Sequence, residues 1–498
     1  MTELLKHNLA PLMFVGLIVG MGVGYPAAFS IAAIGLGFSL VGIELGLIRP
    51  DFMGNLTYQL YSVISNDLLL AIPFFTLMGA ILERSGLAED LLEGFGQLFG
   101  GLRGGLSYAV IIVGAVLGAI TGTVAASVIA MGMIALPVMM KYGYSIRHAT
   151  GVIAAAGTVT QLVPPSLVLV VLSDQLGKSV GDMYLGAIGP SFIQIGLFCV
   201  WVWIVTMIWP EAVPALPPEA RTLRGWPLIW KCTKGMVPSL VLIFLVLGTI
   251  FMGLATPTEA GAMGVVGAIV LAWMNGRFSW PLMIQGMEVT MRITSMVVFI
   301  LIGSRIFSLV FQGIGGKEWI EGMLTSLPGG QVGFLIFVNM FVFVLAFFLD
   351  FFEIAFIIIP LLAPAAEKLG IDLIWFGVLL GANMQTSFMH PPFGFALFYL
   401  RGIAPKEVKS SDIYWGAIPW VGLQLVLCAI LILWPKSVTY FIDKPKQDGT
   451  KIEIQITPPS FGSGAPSFGT SGGNPFGAPQ NSIPAPPPAP IIEPLKQQ

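Results

Sequence analysis

The chain has 498 residues, of which 56% are hydrophobic and only 10% are charged, and its net charge is −2. An ordinary soluble domain carries about 25% charged residues, so a soluble fold could not bury this much apolar surface. The sequence has no basic tract, which gives no support for a nucleic-acid partner. The composition predicts an all-α polytopic membrane protein in a lipid bilayer.

The first half of the chain, residues 1–209, consists mainly of apolar runs that approach or exceed the length of a membrane-spanning helix. Residues 87–105 are mixed and amphipathic, which predicts a helix that lies along the membrane interface. A polar break at residues 210–235, rich in Pro, Lys and Arg, predicts a linker to a second half of similar length.

Two interruptions in the first half indicate backbone that leaves regular helix at membrane depth. The small polar turn Thr121-Gly122-Thr123 divides the apolar region 105–140, which predicts a re-entrant hairpin with this turn as its tip. The stretch "GTVTQLVPPS", from Gly157 to Ser166, interrupts the apolar segment 150–173 with Pro164 and Pro165. A proline removes a backbone donor and frees a carbonyl, so this segment is predicted to be a broken helix.

The second half, residues 236–437, carries two carboxylates in an apolar region at about 331–365. Asp350 and Glu353 are three positions apart, so on a helix they share one face and repel each other unless a cation, a proton or a partner intervenes. The region predicts a second hairpin with a functional tip. The alternative is that Asp350 ends the preceding span and reaches water in the headgroup region.

A second broken helix is predicted over residues 372–400, where Pro391 and Pro392 follow His390. A histidine beside a transport site could titrate near neutral pH and couple protons, or it could stay neutral and hydrogen-bonded. The Gly-, Pro- and Ser-rich residues 438–498 predict a disordered tail, either simply solvated or recruiting a partner through its scattered Phe residues.

The two broken helices belong to an internal repeat. Pro137, Lys141, Gly143, Pro164 and Pro165 each have an identical residue 227 positions later, at Pro364, Lys368, Gly370, Pro391 and Pro392. Repeated halves with Pro- and Gly-interrupted apolar segments in matching places are typical of secondary transporters. The alternative for either site alone is a proline kink that serves only helix packing.

At these residues the chain resembles the DctM-like large membrane subunit of tripartite ATP-independent periplasmic (TRAP) transporters. The resemblance covers roughly residues 5–437 and is clearest in "GAITGTVAASVIAMGMIALPVMMKYGY" from Gly118, "GLATPTEAGAMGVVGA" from Gly253 and "NMQTSFMHPPFGFALFYLRGIAP" from Asn383. It implies two inverted repeats with two re-entrant hairpins and two broken helices, in a fold that works as an elevator. It also implies a multi-pass protein of the bacterial inner membrane.

The resemblance further implies the activity and the partners. Members of this family import organic acids, mostly carboxylates, with a sodium gradient. A periplasmic binding protein delivers the substrate, and a small four-helix membrane subunit, here expected as a separate polypeptide, accompanies the large one. Sodium as the coupling ion is the only cofactor-like species expected.

Two departures from the common family pattern indicate a branch. Asp350 is followed by Phe351, Phe352 and Glu353, where small or hydroxyl residues are more common, and Met389-His390 stands where a hydroxyl residue is more common. These traits resemble the mannitol/chloroaromatic branch, which is similar to systems for 2-oxo acids and lactate. The added bulk suggests a small monocarboxylate substrate.

One sodium ion is expected between the first tip and the first broken helix, and a second between the carboxylates and the second broken helix, because a hard cation prefers oxygen ligands. The substrate carboxylate is expected at backbone N–H groups of the tips. The candidate residues for sodium and substrate are Thr121, Gly122, Thr123, Gly157, Thr158, Thr160, Pro164, Pro165, Asp350, Glu353, Asn383, Thr386, Ser387, His390, Pro391 and Pro392.

Other classes of function fit the sequence less well. The string nearest to a phosphate-binding loop has Leu172 where the first glycine is required, and there is no HExxH motif. An intramembrane enzyme would leave the repeat unexplained, so no catalytic residue is predicted. A stand-alone ion-coupled organic-anion symporter or a channel is the main alternative to the tripartite transporter.

Overall fold

The computed structural model describes residues 2–223 and 225–442, and these residues form helices joined by short turns. The predicted tail lies outside them from residue 443 onward. Helices of the first half are α1 (Thr2–Gly22), α2 (Ala27–Glu44), α3 (Asn55–Ile64), α4 (Ala71–Arg84), α5 (Leu87–Phe99), α6 (Gly105–Thr121), α7 (Val124–Lys141), α8 (Ile146–Thr158), α9 (Leu167–Leu176) and α10 (Val180–Ile208).

The second half has a similar succession of elements. Its helices are α11 (Trp226–Phe251), α12 (Pro257–Met274), α13 (Trp280–Gly313), α14 (Gly316–Thr325), α15 (Gly330–Leu345), α16 (Phe351–Glu353), α17 (Ile359–Lys368), α18 (Leu373–Met384), α19 (Phe395–Ile403), α20 (Ser410–Leu433) and α21 (Lys436–Thr439). Because α11 begins at Trp226, the predicted linker 210–235 extends too far: its last ten residues are helical and belong to the second half. Likewise α21 extends past residue 438, where the tail was predicted to begin.

Many of these helices have the length and apolar character of membrane spans. Within the described residues, eight helices qualify singly, and the number rises to ten if two bent pairs are each counted as one span. One pair is the region of α3 and α4, bent by 44°, and the other is α14 with α15, bent by 119°. Many large apolar side chains on the spans are exposed, as expected where lipid is the solvent.

The internal repeat extends through the helical region, and an offset of 227 relates the second arm of each hairpin and the broken helices. Adding 227 to the bounds of α7 gives 351 and 368, the first residue of α16 and the last of α17. The same addition takes the start of α8 to the start of α18 and the end of α9 to the end of α19. In order along the chain, α1 corresponds to α11, α2 to α12, and the bent α3–α4 pair to the single long helix α13.

The packing of the two halves is reciprocal. Helix α7 packs against α19, and its equivalent α17 packs against α9; α8 packs against α20, and its equivalent α18 packs against α10. If α1, α2, α3–α4, α8–α9 and α10, or their equivalents, each cross the membrane once, each half crosses it an odd number of times, because a hairpin adds either no crossing or two. The second half therefore starts on the opposite side of the membrane, and the two repeats are inverted.

Candidate functional site: a cavity between two hairpin tips

The first hairpin turns at a glycine whose backbone is left-handed. Helix α6 ends at Thr121, Gly122 has φ +62°, and α7 begins at Val124. An L-residue with a side chain is disfavoured in this conformation, which accounts for the glycine. Thr123 precedes the helix in an extended conformation, and its side chain makes no capping hydrogen bond. The first turn of α7 therefore keeps backbone N–H groups without a side-chain cap.

Helix α4 holds this tip by direct backbone contact. A Cβ atom on Gly79 would lie 2.0 Å from the carbonyl oxygen of Thr121. No side chain larger than hydrogen fits between the two backbones at this distance, so the position of the first tip depends on Gly79.

The second tip begins with a capping box. Asp350 is the N-cap residue of α16, and its Oδ1 accepts a hydrogen bond from the backbone N–H of Glu353 at 2.9 Å. The Oε2 of Glu353 accepts in turn from the backbone N–H of Asp350 at 3.0 Å. Each carboxylate thus has a backbone donor, a stabilising contact that the predicted repulsion between the two side chains did not include.

Beyond the second tip the helix widens, and a neighbouring serine satisfies a freed carbonyl. Residues Ile354–Ile358 form a π-helical turn between α16 and α17. Pro360 has no N–H to offer the carbonyl of Phe356, four residues earlier. The hydroxyl of Ser304, on α13, donates to that carbonyl at 2.5 Å. Helix α13 therefore contacts the second hairpin as its equivalent α4 contacts the first, with different chemistry.

The first broken helix and the first hairpin share a chain of buried hydroxyls. The Oγ of Ser127 lies 3.0 Å from the Oγ1 of Thr121 and 3.2 Å from the Oγ1 of Thr160. Thr160 also donates to the carbonyl of Gly157 at 2.7 Å. The break itself contains the short turn Val159–Gln161 and then Pro164-Pro165, before α9 begins. Three hydroxyls from tip, hairpin and break thus form one cluster, which we call the hydroxyl cluster.

The second broken helix presents amide oxygens in place of hydroxyls. The Nδ2 of Asn383 donates to the backbone oxygen and to the Oδ1 of Asn339, at 2.7 and 3.0 Å. The Oδ1 of Asn383 is buried and has no hydrogen-bond partner, and Thr386 donates to the carbonyl of Asn383 at 2.7 Å. Asn339 and Asn383 form what we call the amide pair. Ser387, Pro391 and Pro392 follow along the break.

Within the described residues, no hydrogen bond joins the carboxylates of Asp350 and Glu353 to Asn383, Thr386 or Ser387. The predicted second ion site combined these two groups. The structure places the carboxylates at the tip and the amide pair at the break, in separate hydrogen-bonded sets.

Thr158 lies where the two repeats meet. The Nε2 of Gln385 donates to the Oγ1 of Thr158 at 3.4 Å, and these two residues are 227 positions apart, so they occupy equivalent places in the two halves. The Nε2 of Gln424 donates to the same hydroxyl at 3.2 Å. An equivalent pair in mutual contact marks the position of the pseudo-two-fold axis.

His390 lies among phenylalanines of α15 and its C-terminal end. Its ring stacks on that of Phe347 with centroids 4.1 Å apart and meets Phe343 edge-on at 4.4 Å. The side chain is buried, and neither ring nitrogen makes a hydrogen bond of normal geometry. His390 is absent from the lining of the cavity described next.

A cavity of about 210 Å³ lies between the two tips and the two broken helices. The first tip contributes Gly122 and Thr123, the second contributes Asp350, and the two breaks contribute Gln161 and Phe388. The remaining residues of the lining are Val124, Ala125, Leu167, Val168, Ile293, Met296, Phe351, Phe352, Phe395 and Tyr399. Of the candidates predicted from sequence, Gly122, Thr123 and Asp350 line this cavity, and the others are not part of its lining.

Four polar residues of this region are not among the site residues predicted from the sequence. Gln161 and Tyr399 line the cavity, Ser127 completes the hydroxyl cluster, and Asn339 completes the amide pair. Ser127 could have been predicted as a site residue, because it lies one helical turn after the tip. Asn339 is a lone amide in an apolar run and could have been singled out for its cost in lipid. Tyr399 had no signal beyond its position after the second Pro-Pro pair.

The family model for the DctM component of tripartite ATP-independent periplasmic transporters matches residues 14–437. Among the similar proteins is the C4-dicarboxylate TRAP transporter large permease protein DctM of Vibrio cholerae, 29% identical over 451 residues, with 86% of this chain and 96% of that protein covered. The 2,3-diketo-L-gulonate TRAP transporter large permease protein YiaN of Escherichia coli is 25% identical over 433 residues, covering 86% of this chain and 96% of YiaN.

A solved structure supports the fold. The YdaH transporter of Alcanivorax borkumensis, described as having an unusual topology, superposes with a TM-score of 0.56 at 17% identity and covers 78% of this chain and 90% of its own. The match to the family model includes both hairpins and both broken helices. This chain is therefore a multi-pass membrane protein that belongs to the DctM family of TRAP transporter large permease subunits.

Proposed function

We propose that this subunit imports small organic acids across the bacterial inner membrane, driven by a sodium gradient, and that the substrate binds in the cavity between the two tips. The observation that carries the proposal is the cavity itself, because it brings both hairpin tips and both broken helices around one small space. The names of relatives support an acid substrate, since they include a C4-dicarboxylate and a diketo-gulonate system.

The carboxylate of the substrate binds at the start of α7. The first N–H groups of a helix carry partial positive charge and favour an anion. Gly122 and Thr123 line the cavity at this point, and no side chain caps the helix. Substrate recognition at this end therefore uses backbone donors, which need no buried cationic side chain.

Sodium binds beside the two broken helices. The hydroxyl cluster of Thr121, Ser127 and Thr160 offers oxygen ligands at the first break, and the amide pair of Asn339 and Asn383 offers them at the second. If Asp350→Asn and Glu353→Gln both leave the sodium dependence of uptake unchanged, the two carboxylates are not ion ligands. A shift in the half-saturating sodium concentration with either variant would identify the replaced carboxylate as a ligand of the second sodium ion.

The subunit works with two partners. A periplasmic binding protein delivers the substrate, and a small four-helix membrane subunit accompanies the large one. One relative, the isethionate TRAP transporter permease protein DctMQ of Oleidesulfovibrio alaskensis, is 26% identical over 427 residues, which is 84% of this chain and 65% of that protein. The rest of that relative lies outside its match to this chain.

Transport uses movement of the hairpin and broken-helix elements as one body. These elements of the two halves interlock reciprocally, α7 with α19 and α17 with α9. An elevator movement of this body against the frame of the other helices would carry the cavity across the membrane without dismantling it.

Uptake into proteoliposomes tests the proposal. Vesicles would hold this chain with its small subunit, and labelled lactate, pyruvate or succinate would be supplied with the binding protein, with and without an inward sodium gradient. We expect uptake of at least one acid only when the gradient and both partners are present. Uptake without the binding protein would instead identify a stand-alone symporter or a channel.

A further inference from the structure

The two helix starts that face the cavity differ in whether they can accept an anion. Helix α7 begins at Val124 without a side-chain cap. The helix after the second tip begins at Phe351. The carboxylate of its N-cap residue, Asp350, accepts a hydrogen bond from the first turn, and Glu353 completes the capping box. An anion at the second tip would compete with these hydrogen bonds and meet the negative charge of Asp350. The cavity therefore offers one position for a carboxylate.

A second, independent observation concerns Gln161. Its side chain is only 4% exposed, it lines the same cavity, and its Oε1 has no hydrogen-bond partner. The hydroxyl of Ser166 donates to the backbone carbonyl of Gln161 at 2.5 Å, which holds the residue in place within the break. A buried acceptor without a donor is costly, so this oxygen fits a ligand that carries a donor.

The rest of the cavity is apolar and aromatic. Phe351, Phe352, Phe388 and Phe395 contribute four phenyl rings, and Tyr399 adds a fifth aromatic ring. Among the described residues that line the cavity, none is Lys, Arg or His. The volume of about 210 Å³ is below the roughly 300–1,000 Å³ of pockets for drug-sized ligands. The body of the ligand is therefore small and apolar.

From these three observations we infer that the site selects a compact 2-hydroxy monocarboxylate. The inference rests on the function proposed above and names its substrate class. The carboxylate takes the start of α7, the 2-hydroxyl donates to the Oε1 of Gln161, and the apolar body lies among the aromatic rings. Asp350 excludes a second carboxylate.

Direct binding to the purified protein in sodium chloride tests this inference without the selectivity of a binding protein. Three probes are compared by calorimetry: 2-hydroxy-3-methylbutyrate, 3-methylbutyrate, which lacks the hydroxyl, and malate, which has the hydroxyl and a second carboxylate. We expect the hydroxy monocarboxylate to bind about tenfold more tightly than 3-methylbutyrate, as for one hydrogen bond to a buried acceptor, and more than tenfold more tightly than malate. Malate binding as tightly as the hydroxy monocarboxylate would overturn the inference.

A matched pair of variants locates the hydroxyl preference. Gln161→Met removes the acceptor, so we expect the two monocarboxylates to bind equally. Gln194→Met is the control, because Gln194 is also fully buried with an unpartnered amide but does not line the cavity. If Gln161→Met keeps the preference, or alters only the sodium dependence of both acids, the inference fails. Absence of any carboxylate binding to the unmodified protein would contradict the proposed function itself, whereas binding in the wrong order contradicts only this inference.

Discussion

The two hairpin tips are equivalent in the repeat and different in their chemistry. Both tips precede a helix that starts at the same repeat position, Val124 in one half and Phe351 in the other. The first tip is a glycine turn, and the helix after it has no side-chain cap. At the second tip, the carboxylates of Asp350 and Glu353 cap the start of the helix. The comparison teaches that an inverted repeat can supply a symmetric frame while substitutions at the tips make the binding site asymmetric.

The helices that hold the tips repeat this contrast. Helix α4 contacts the first hairpin through Gly79, where the two backbones touch, and α13 contacts the second through the hydroxyl of Ser304. Position 306 of α13, 227 residues after Gly79, is an isoleucine. The first tip is therefore positioned by shape, and the second by its capping box and a hydrogen bond.

The largest expected effect comes from filling the space at Gly79. In Gly79→Ala the new Cβ would lie 2.0 Å from the Thr121 carbonyl oxygen, so the first tip must move, at a cost of about 1–3 kcal/mol in folding free energy. We expect sodium-driven uptake to fall more than tenfold. The control is Gly37→Ala on α2, where a Cβ meets nothing within 4 Å. Equal uptake by the two variants would contradict the close contact.

A smaller loss is expected from Gly122→Ala at the tip itself. The residue has φ +62°, so an alanine adds about 1–2 kcal/mol of backbone strain. Gly177→Ala is matched in strain, with φ +61° and open space around it, but lies at the end of α9 away from the cavity. We expect both variants to lower the thermal midpoint similarly and only Gly122→Ala to raise the KM for substrate. A raised KM in both would remove the special role of the tip.

Ser127→Ala tests the hydroxyl cluster of the first half. It removes the hydroxyl that lies between those of Thr121 and Thr160. We expect the half-saturating sodium concentration for uptake to rise several-fold, with little change in maximum rate at high sodium. Ser173→Ala is the control, because Ser173 is equally buried and bonds only within its own helix, to Val170. An unchanged sodium dependence would show that the cluster is a packing feature.

The smallest effect on substrate transport is expected from Ser304→Ala, which leaves the Phe356 carbonyl without its donor while the tip keeps its capping box. An unsatisfied buried carbonyl costs about 1–3 kcal/mol, so we expect a thermal midpoint lower by a few degrees and uptake reduced less than in Gly79→Ala. Ser62→Ala provides the control, since Ser62 is exposed and bonds to a carbonyl in its own helix. Uptake falling as far as in Gly79→Ala would erase the difference between the two tips.

Much of the frame could be predicted because proline restricts the backbone and glycine permits conformations that other residues rarely adopt. Five identities at one offset indicated the repeat, and the glycine turn at Gly122 and the two Pro-Pro pairs located the interruptions. The end of the linker was misplaced because residues 226–235 contain one proline and two lysines, which a helix tolerates in its first turns.

The site was harder to predict because it depends on contacts between distant residues. Asp350 and Glu353 form a capping box that the spacing Asp-x-x-Glu could have indicated, yet within an apolar run the pair was interpreted as two repelling charges on a helix face. The surroundings of His390 come from Phe343 and Phe347, more than forty positions earlier. Gln161 reaches the cavity only because the break turns its side chain there, which periodicity does not report.

The central claim is that the cavity between the tips binds the substrate, and labelling at Thr123 tests it most directly. A Thr123→Cys variant, with Cys199, Cys232 and Cys428 replaced by alanine, would be treated with a maleimide in sodium chloride, with and without 2-hydroxy-3-methylbutyrate or lactate. Lys317→Cys, at an exposed position on α14, is the control. We predict that the acid slows labelling of Thr123→Cys in sodium but not in choline, and leaves Lys317→Cys unchanged. Labelling at Thr123→Cys that is indifferent to every carboxylate tested would contradict the claim.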